Sequence, residues 1–267
     1  MHRYICRFGP VTLYSYGAML ALAFFAAALL AAHRARKRGI DSAAMYDLVA
    51  YILVASLAGA RLLFVAINLD YYRQYPLDAL KLWQGGLVLY GGILFGFCAA
   101  VWAMKRKRLP VWKVVDVFAP PLALGVAIGR IGCFLNGCCY GKLSQSFGVC
   151  FPAKDLPPAY EQQLSRGLIA NGAPCSLPVL PTQLYETAAC LAIFGILLFV
   201  EKKFRMFDGF LFWLFILLYS VQRFFMEGIR FYEGNFFVGP LTVSQLVSLA
   251  LAALSAAVII QRANARR

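Results

Sequence analysis

The sequence predicts an all-α polytopic membrane protein of about seven transmembrane helices with one extracytoplasmic excursion. Three observations carry that prediction. Of the 267 residues, 61% are hydrophobic and only 14% are charged, a balance rare in soluble domains. The apolar residues gather in runs of about 20, the length of helix that crosses a hydrocarbon core. The basic residues cluster behind every second run, as the positive-inside rule requires of a multi-pass chain.

Taken in order, the first run extends from Gly9 to Ala32 and is uncharged. It is too long for a cleavable signal, has no clear small-x-small cleavage site and is followed by further spans, so it reads as a resident helix. The second, about Tyr46 to Leu69, holds Asp47 and Arg61, and the third, Gly85 to Met104, is again uncharged. The fourth, about Val111 to Asn136, holds Lys113, Asp116 and Arg130. Between Gly141 and Pro181, six prolines (152, 157, 158, 174, 178 and 181) argue for loops and short elements. That stretch is the only candidate for a subdomain outside the membrane, 141–181, within a single membrane domain spanning 1–267. The fifth run, about Thr182 to Val200, holds Glu186; the sixth, about Gly209 to Gly228, holds Arg223 and Glu227; the seventh, Gly234 to Gln261, is uncharged.

A formal charge of +14 would suggest a nucleic-acid partner in a soluble protein, but its placement points to the membrane instead. Arg34, Arg36, Lys37 and Arg38 follow the first run, Lys105 to Arg108 the third, Lys202, Lys203 and Arg205 the fifth, and Arg262, Arg266 and Arg267 the seventh. These loops are expected in the cytoplasm, with the amino terminus outside, the carboxyl terminus inside, and anionic lipid headgroups as natural partners. No Gly-rich phosphate loop follows a strand, so no nucleotide, haem or flavin cofactor is expected, and no nucleic acid.

Ionisable residues at membrane depth mark functional sites. The stretch GRIGCFLNGCCYG, Gly129 to Gly141, puts Arg130, Cys133, Asn136, Cys138 and Cys139 at the outer end of the fourth span. Arg223, Glu227 and Arg230 fall at i, i+4 and i+7, one face of the sixth span and its outer end. Tyr185 and Glu186 open the fifth span at the same level. Arg61 belongs either with this set or to helix packing, and packing is the better reading for it alone. Arg130, Arg223 and Arg230 outnumber Glu186 and Glu227, and a positive surplus in lipid suits a phosphate, which guanidinium groups bind in bidentate fashion.

Eight cysteines are present. Cys150 and Cys175, in the outer excursion, suit a disulfide in an oxidising compartment; Cys6, Cys98 and Cys190 read as small buried apolar residues. Cys133 and Cys138 come together if the helix breaks at Asn136 and Gly137. A thiolate beside Arg130 is a candidate nucleophile, with a disulfide or a soft-metal site as rivals. A mixed Cys/His zinc site is not expected, because the only histidines are His2 and His33.

Beyond these readings, the chain resembles the prolipoprotein diacylglyceryl transferases. GRIGCFLNGCCYG is similar to the family's GRxGNFxNGExxG, and five further motifs recur in order: FGPVTLYSYG, GARLLF at Gly59 to Phe64, WQGGLVLYGG at Trp83 to Gly92, PTQLYE at Pro181 to Glu186, and YSVQRFFMEGIR at Tyr219 to Arg230. The resemblance runs from about residue 8 to about residue 250. It implies transfer of the diacylglyceryl group of phosphatidylglycerol to the thiol of a lipobox cysteine in the signal peptide of a preprolipoprotein, at the bacterial inner membrane. It further implies that Arg130 and Arg223 hold the phosphate and that Tyr16, Asn136, Gly141, Tyr185, Glu186, Glu227 and Arg230 line the site.

Three positions depart from the family pattern. Tyr90 stands where the family has histidine, Cys133 replaces the asparagine of GRxGN, and Cys138 replaces the glutamate of NGE. Tyrosine titrates near pH 10 and is a poor base at neutral pH. Tyr90, Cys133 and Cys138 are therefore candidates for altered chemistry. Two alternatives stay open: a paralogue that moves lipid to another acceptor through a cysteine, and a non-catalytic protein that binds anionic phospholipid.

Overall fold

A computed structural model describes residues 3–8, 11–81, 85–204, 207–231 and 237–265. Gly9 and Pro10 of the first motif, Trp83 and Gln84 of WQGGLVLYGG, Gly234 at the expected start of the seventh run, the basic residues Arg205, Arg266 and Arg267, and His2 lie outside the described residues.

Nine helices are present among the described residues: α1 (Ser15–Lys37), α2 (Ser42–Ile67), α3 (Leu69–Gln74), α4 (Leu89–Arg106), α5 (Val111–Asn136), α6 (Pro158–Ser165), α7 (Thr182–Lys203), α8 (Phe210–Ile229) and α9 (Val243–Asn264). Six of them, α1, α2, α5, α7, α8 and α9, are long and apolar enough to cross a membrane. The seventh expected span is α4, which has 18 residues and ends in Lys105 and Arg106. At 1.5 Å per residue it is about 27 Å long, close to the thickness of a hydrocarbon core. The helical bounds match the expected runs closely at Val111–Asn136, Thr182 and Ile229, and shift at the two ends of the chain.

Those shifts have a local cause. The apolar run beginning at Gly9 enters α1 only at Ser15, because β1 (Tyr4–Phe8) and β2 (Val11–Tyr14) pair first as an antiparallel hairpin, with Tyr4 opposite Tyr14 and their rings 5.2 Å apart. Likewise β3 (Phe237–Val238) and β4 (Leu241–Thr242) precede α9. Thr242 then accepts a hydrogen bond from the Gln245 backbone while the Gln245 side chain accepts from the Thr242 backbone. This capping box satisfies two amide donors and fixes where the last helix starts.

Four helices end in basic residues: α1 in Arg34, Arg36 and Lys37, α4 in Lys105 and Arg106, α7 in Lys202 and Lys203, and α9 in Arg262. The intervening spans α2, α5 and α8 carry none in their last turns. Cations at a helix carboxyl end also meet the negative pole of the helix dipole.

The chain divides into two compact units, residues 28–114 and residues 1–27 with 115–267. In the first, α2 and α4 cross at small residues, Ser56, Gly59 and Ala60 against Gly91, Gly92 and Gly96. A side chain at Gly59 or Gly91 would run into the facing backbone carbonyl, so these glycines set the approach of the two helices. Arg61, 6% exposed, directs its guanidinium into the loop between α3 and α4. Its Nε donates to the Ala79 carbonyl at 2.9 Å, Nη1 to Gly85 at 2.6 Å and Gly86 at 3.1 Å, and Nη2 to Asp78 at 2.6 Å and Lys81 at 3.3 Å. All five of its N–H donors are thus used on backbone oxygens, and the structural reading of Arg61 is the one the contacts carry.

In the second unit, α5, α7 and α8 pack through Ala119, Ala123, Ile193, Leu197, Phe210, Leu211 and Phe215. Asp116, buried in α5, accepts from the Gly209 amide at 2.8 Å and the Phe212 amide at 3.0 Å. An intramembrane carboxylate is thereby used to cap the amino end of α8. The excursion folds around its own small core of Tyr140, Phe151, Ala159 and Val179. Leu143 and Val149 both bridge to Val179, Pro152 bridges to Cys175, and α6 is the excursion's one helix.

Candidate functional site

The site begins where α5 stops. The helix ends at Asn136, Gly137 turns back in the left-handed region (φ +76°), and the Cys138 amide returns to the Cys133 carbonyl at 3.1 Å. This is the break that brings Cys133 and Cys138 together. Cys139 is also left-handed, at φ +62°, a region that costs a side-chain-bearing residue about 1 kcal/mol or more. With the turn so bent, the Sγ atoms of Cys133, Cys138 and Cys139 all lie within 4.8 Å of one another.

The turn is held from three sides. The Ala159 amide of α6 donates to the Gly137 carbonyl at 3.0 Å. From the first turn of α7, Thr182 Oγ1 donates to the Cys139 carbonyl at 2.8 Å and Gln183 Nε2 to the Cys138 carbonyl at 2.6 Å. Gly141 donates to Leu180 at 2.9 Å, Lys142 to Ile229 at 2.9 Å, and Tyr140 stacks on Phe231 with ring centroids 5.7 Å apart. A Cβ on Gly141 would press on Thr182, Ile229 and Leu180 together, so its role is close packing of backbone.

Beside the turn, four charges form one chain across three helices. Arg130 Nε of α5 contacts Glu186 Oε2 of α7. The other oxygen of Glu186 accepts from Arg223 Nη1 of α8 at 3.2 Å, and Arg223 Nη2 meets Glu227 Oε2 at 2.8 Å. Thr242, at the start of α9, donates to Glu227 Oε1 at 3.2 Å. Glu186 and Glu227 are almost fully buried, and ions so placed need both pairing and hydrogen bonding. Two of the three expected cations are therefore paired, with Glu186 between Arg130 and Arg223 and Glu227 on the far side of Arg223.

Arg230 departs from the expected helix face. α8 ends at Ile229, and Arg230 is extended (φ −78°, ψ 149°) and bridges to Gly141. Its charge nevertheless acts on the turn. The Cys138 thiol donates to the Cys133 carbonyl at 3.7 Å, and the neighbouring Cys133 and Cys138 thiols, with Arg230 and Arg130, hold the Cys139 thiol below the usual thiol range against burial. The Asn136 side chain hydrogen-bonds the Cys138 thiol. Tyr16, in the first turn of α1, sits within electrostatic range of Arg130 and all three thiols, with its ring near Gly132.

Other expected residues stand apart. Tyr185 is on α7 but 38% exposed. Tyr90 is in the first turn of α4, in the unit formed by 28–114, with 78% of its surface exposed. Of the three cysteines expected to be buried, Cys190 is, whereas Cys98 on α4 is exposed and Cys6 in β1 is half-buried. Cys150 and Cys175 are unbonded thiols, and a hydrogen bond to Cys175 pushes the Cys150 thiol up.

Sequence reasoning missed Thr182, Gln183, Tyr219 and Thr242. Gln183 stands three residues before Glu186, the spacing of one helix face, so periodicity alone offered a signal for it. Tyr219, within electrostatic range of Arg130, lies four residues before Arg223 on α8. Thr242 carried only the signal of a helix start.

Comparison with known proteins gives a concordant result. The family described as "Prolipoprotein diacylglyceryl transferase" matches residues 3–261. Among similar proteins, a "Phosphatidylglycerol--prolipoprotein diacylglyceryl transferase" of Thermosynechococcus vestitus is 34% identical over 248 residues, 92% of this chain and 87% of that protein. One of the same name from Symbiobacterium thermophilum is 35% identical over 248 residues, with the same coverage. Another, from Finegoldia magna, is 32% identical over 246 residues, 92% of this chain and 89% of that protein.

Proposed function

The chain belongs to the prolipoprotein diacylglyceryl transferase family, and from that premise we propose that it moves the diacylglyceryl group of phosphatidylglycerol to the thiol of a lipobox cysteine in a preprolipoprotein. In this reaction the bond between the glyceryl carbon and a phosphate oxygen breaks, and its electron pair leaves with glycerol phosphate. A carbon–sulfur bond forms, and the thiol proton passes to a base or to water.

The observation that carries this reading is the chain Arg130–Glu186–Arg223–Glu227 beside the Gly137–Gly141 turn. Preorganised cations stabilise charge that develops on a leaving phosphate. Arg130, Arg223 and Arg230 are the phosphate binders in this reading, and Glu186 and Glu227 hold two of them in place. Tyr16, Asn136 and Gly141 border the reacting thiol, Tyr185 binds substrate, and Tyr90, where the family has histidine, belongs with the altered chemistry. Cys133 and Cys138 act in the altered chemistry.

The protein sits in the bacterial inner membrane with its amino terminus outside and its carboxyl terminus in the cytoplasm. The basic ends of α1, α4, α7 and α9 support that orientation. The site then faces the extracytoplasmic side, where a signal peptide emerges.

The test uses purified protein in detergent, phosphatidylglycerol labelled in its acyl chains, and a lipobox peptide. Label on the peptide that falls at least a hundredfold in Arg130→Ala is the expected result. Intact lipid retained with no label on any peptide overturns the reading in favour of a lipid-binding protein.

A further inference from the structure

The three thiols at the end of α5 converge as no helix or hairpin requires. Cys133 comes from the last turn of the helix, Cys138 and Cys139 from the turn after it, and Cys139 reaches the group only through a left-handed backbone. Around a zinc ion at about 2.3 Å from each sulfur, tetrahedral geometry sets sulfurs about 3.8 Å apart. Atoms already within 4.8 Å of one another reach that spacing by small side-chain rotations.

We propose that Cys133, Cys138 and Cys139 bind a zinc ion through three thiolates, and that its fourth position takes the thiol of the acceptor peptide. The acceptor part of this inference rests on the transferase reading; the metal site does not. Three protein ligands with one open position is the arrangement of catalytic rather than structural zinc.

Three features around the cluster fit this assignment. A zinc ion with three thiolates carries one negative charge, and the cations Arg130 and Arg230 lie close enough to act on Cys139. Gln183, 1% exposed, fixes the Cys138 carbonyl through Nε2, while its Oε1 is a buried acceptor with no partner among the described residues. An orphaned buried acceptor calls for an unseen donor, which water or substrate at the open position supplies. Among the described residues, no other group beside the turn is placed to remove the acceptor's proton. Glu186 and Glu227 are committed to ion pairs.

A metal-bound thiol is deprotonated outright. The acceptor thiol therefore loses its proton to water on binding, and its sulfur attacks the glyceryl carbon as the carbon–oxygen bond to phosphate breaks. No electrons are exchanged with any other reactant.

The test titrates cobalt and zinc into the full-length protein, purified in detergent under reductant and stripped with a chelator. One equivalent of cobalt per chain should bind with sulfur-to-metal charge-transfer absorption. That absorption should vanish in Cys133→Ser and Cys139→Ser and persist in Cys98→Ser. Alkylation of the unaltered protein gives a readout independent of any variant's folding: zinc should protect three thiols. Labelled transfer should fall at least tenfold on chelation and return with zinc. Full alkylation of all three thiols in stoichiometric zinc, a disulfide between any two of them under reductant, or lipid label attached to Cys138 overturns the proposal. Transfer unchanged after chelation also overturns it and leaves the transferase reading standing. One equivalent of thiolate-bound cobalt with no transfer under any condition supports the metal site and overturns the transferase reading.

Discussion

Gln183 donates from its side-chain amide to the backbone carbonyl of Cys138 at 2.6 Å, so the first turn of α7 holds the turn that carries the thiols. Thr182, its neighbour, does the same for Cys139 at 2.8 Å. The motif PTQLYE is therefore a clamp on the motif NGCCYG. Gln183→Ala should lower stability by about 1–2 kcal/mol, the effect of leaving one buried carbonyl without its donor. It should also raise the rate at which maleimide labels Cys138 and Cys139. Thermal melting in detergent and timed labelling check both, and Gln183→Glu, which cannot donate when ionised, should do no better than alanine.

Glu186 is the shared partner of Arg130 and Arg223, one oxygen for each. Glu186→Gln keeps the shape but leaves two guanidinium groups without their common anion. Removal of one member of a buried ion pair costs about 3–5 kcal/mol. The melting temperature should therefore fall, and labelled transfer to a lipobox peptide should drop even at temperatures where the variant stays folded. Full activity in Glu186→Gln would show that the carboxylate holds neither arginine in place for substrate.

Arg61 serves a loop rather than a phosphate. A lysine ammonium has at most three donors and no planar fork, so Arg61→Lys should leave several of the five carbonyls unsatisfied. Limited proteolysis should then cut more readily between residues 75 and 88, with Arg61→Ala cut fastest. Equal resistance in all three proteins would refute the role.

Gly91 faces Gly59 across the α2/α4 crossing, with the Gly59 carbonyl where a Cβ would stand. Gly91→Leu should force the helices apart and cost about 1–3 kcal/mol, as overpacking does elsewhere. Gly17, inside α1 with nothing within 4 Å of where its Cβ would stand, is the control, and Gly17→Ala should melt no lower than the unaltered protein.

Much of the architecture was legible because it depends on length and polarity alone. A run of about 20 apolar residues has few alternatives to a helix in lipid, where every backbone polar group must be satisfied within the segment. The bounds of α5 and the starts of α7 and α8 followed from that constraint. The hairpins before α1 and α9 did not, because Gly9–Tyr14 and Gly234–Thr242 are uncharged like the runs they open, and strand pairing is a non-local choice.

The site was legible as a set of residues and not as an arrangement. Sequence by itself determined that Arg130, Glu186, Arg223 and Glu227 sit at the ends of neighbouring spans, that three cysteines flank a helix break, and that the chain resembles one enzyme family. Tertiary structure decided that Glu186 stands between two arginines, that Arg230 leaves the helix face to pair with Gly141, and that Arg61 is committed to the α3–α4 loop. It also decided that three thiols share one small volume. The physical reason is range. Helix length and charge placement are set by each segment against its solvent, whereas ion pairs and converging sulfurs depend on backbone turns and side chains that residues 37 to 45 positions apart must hold together.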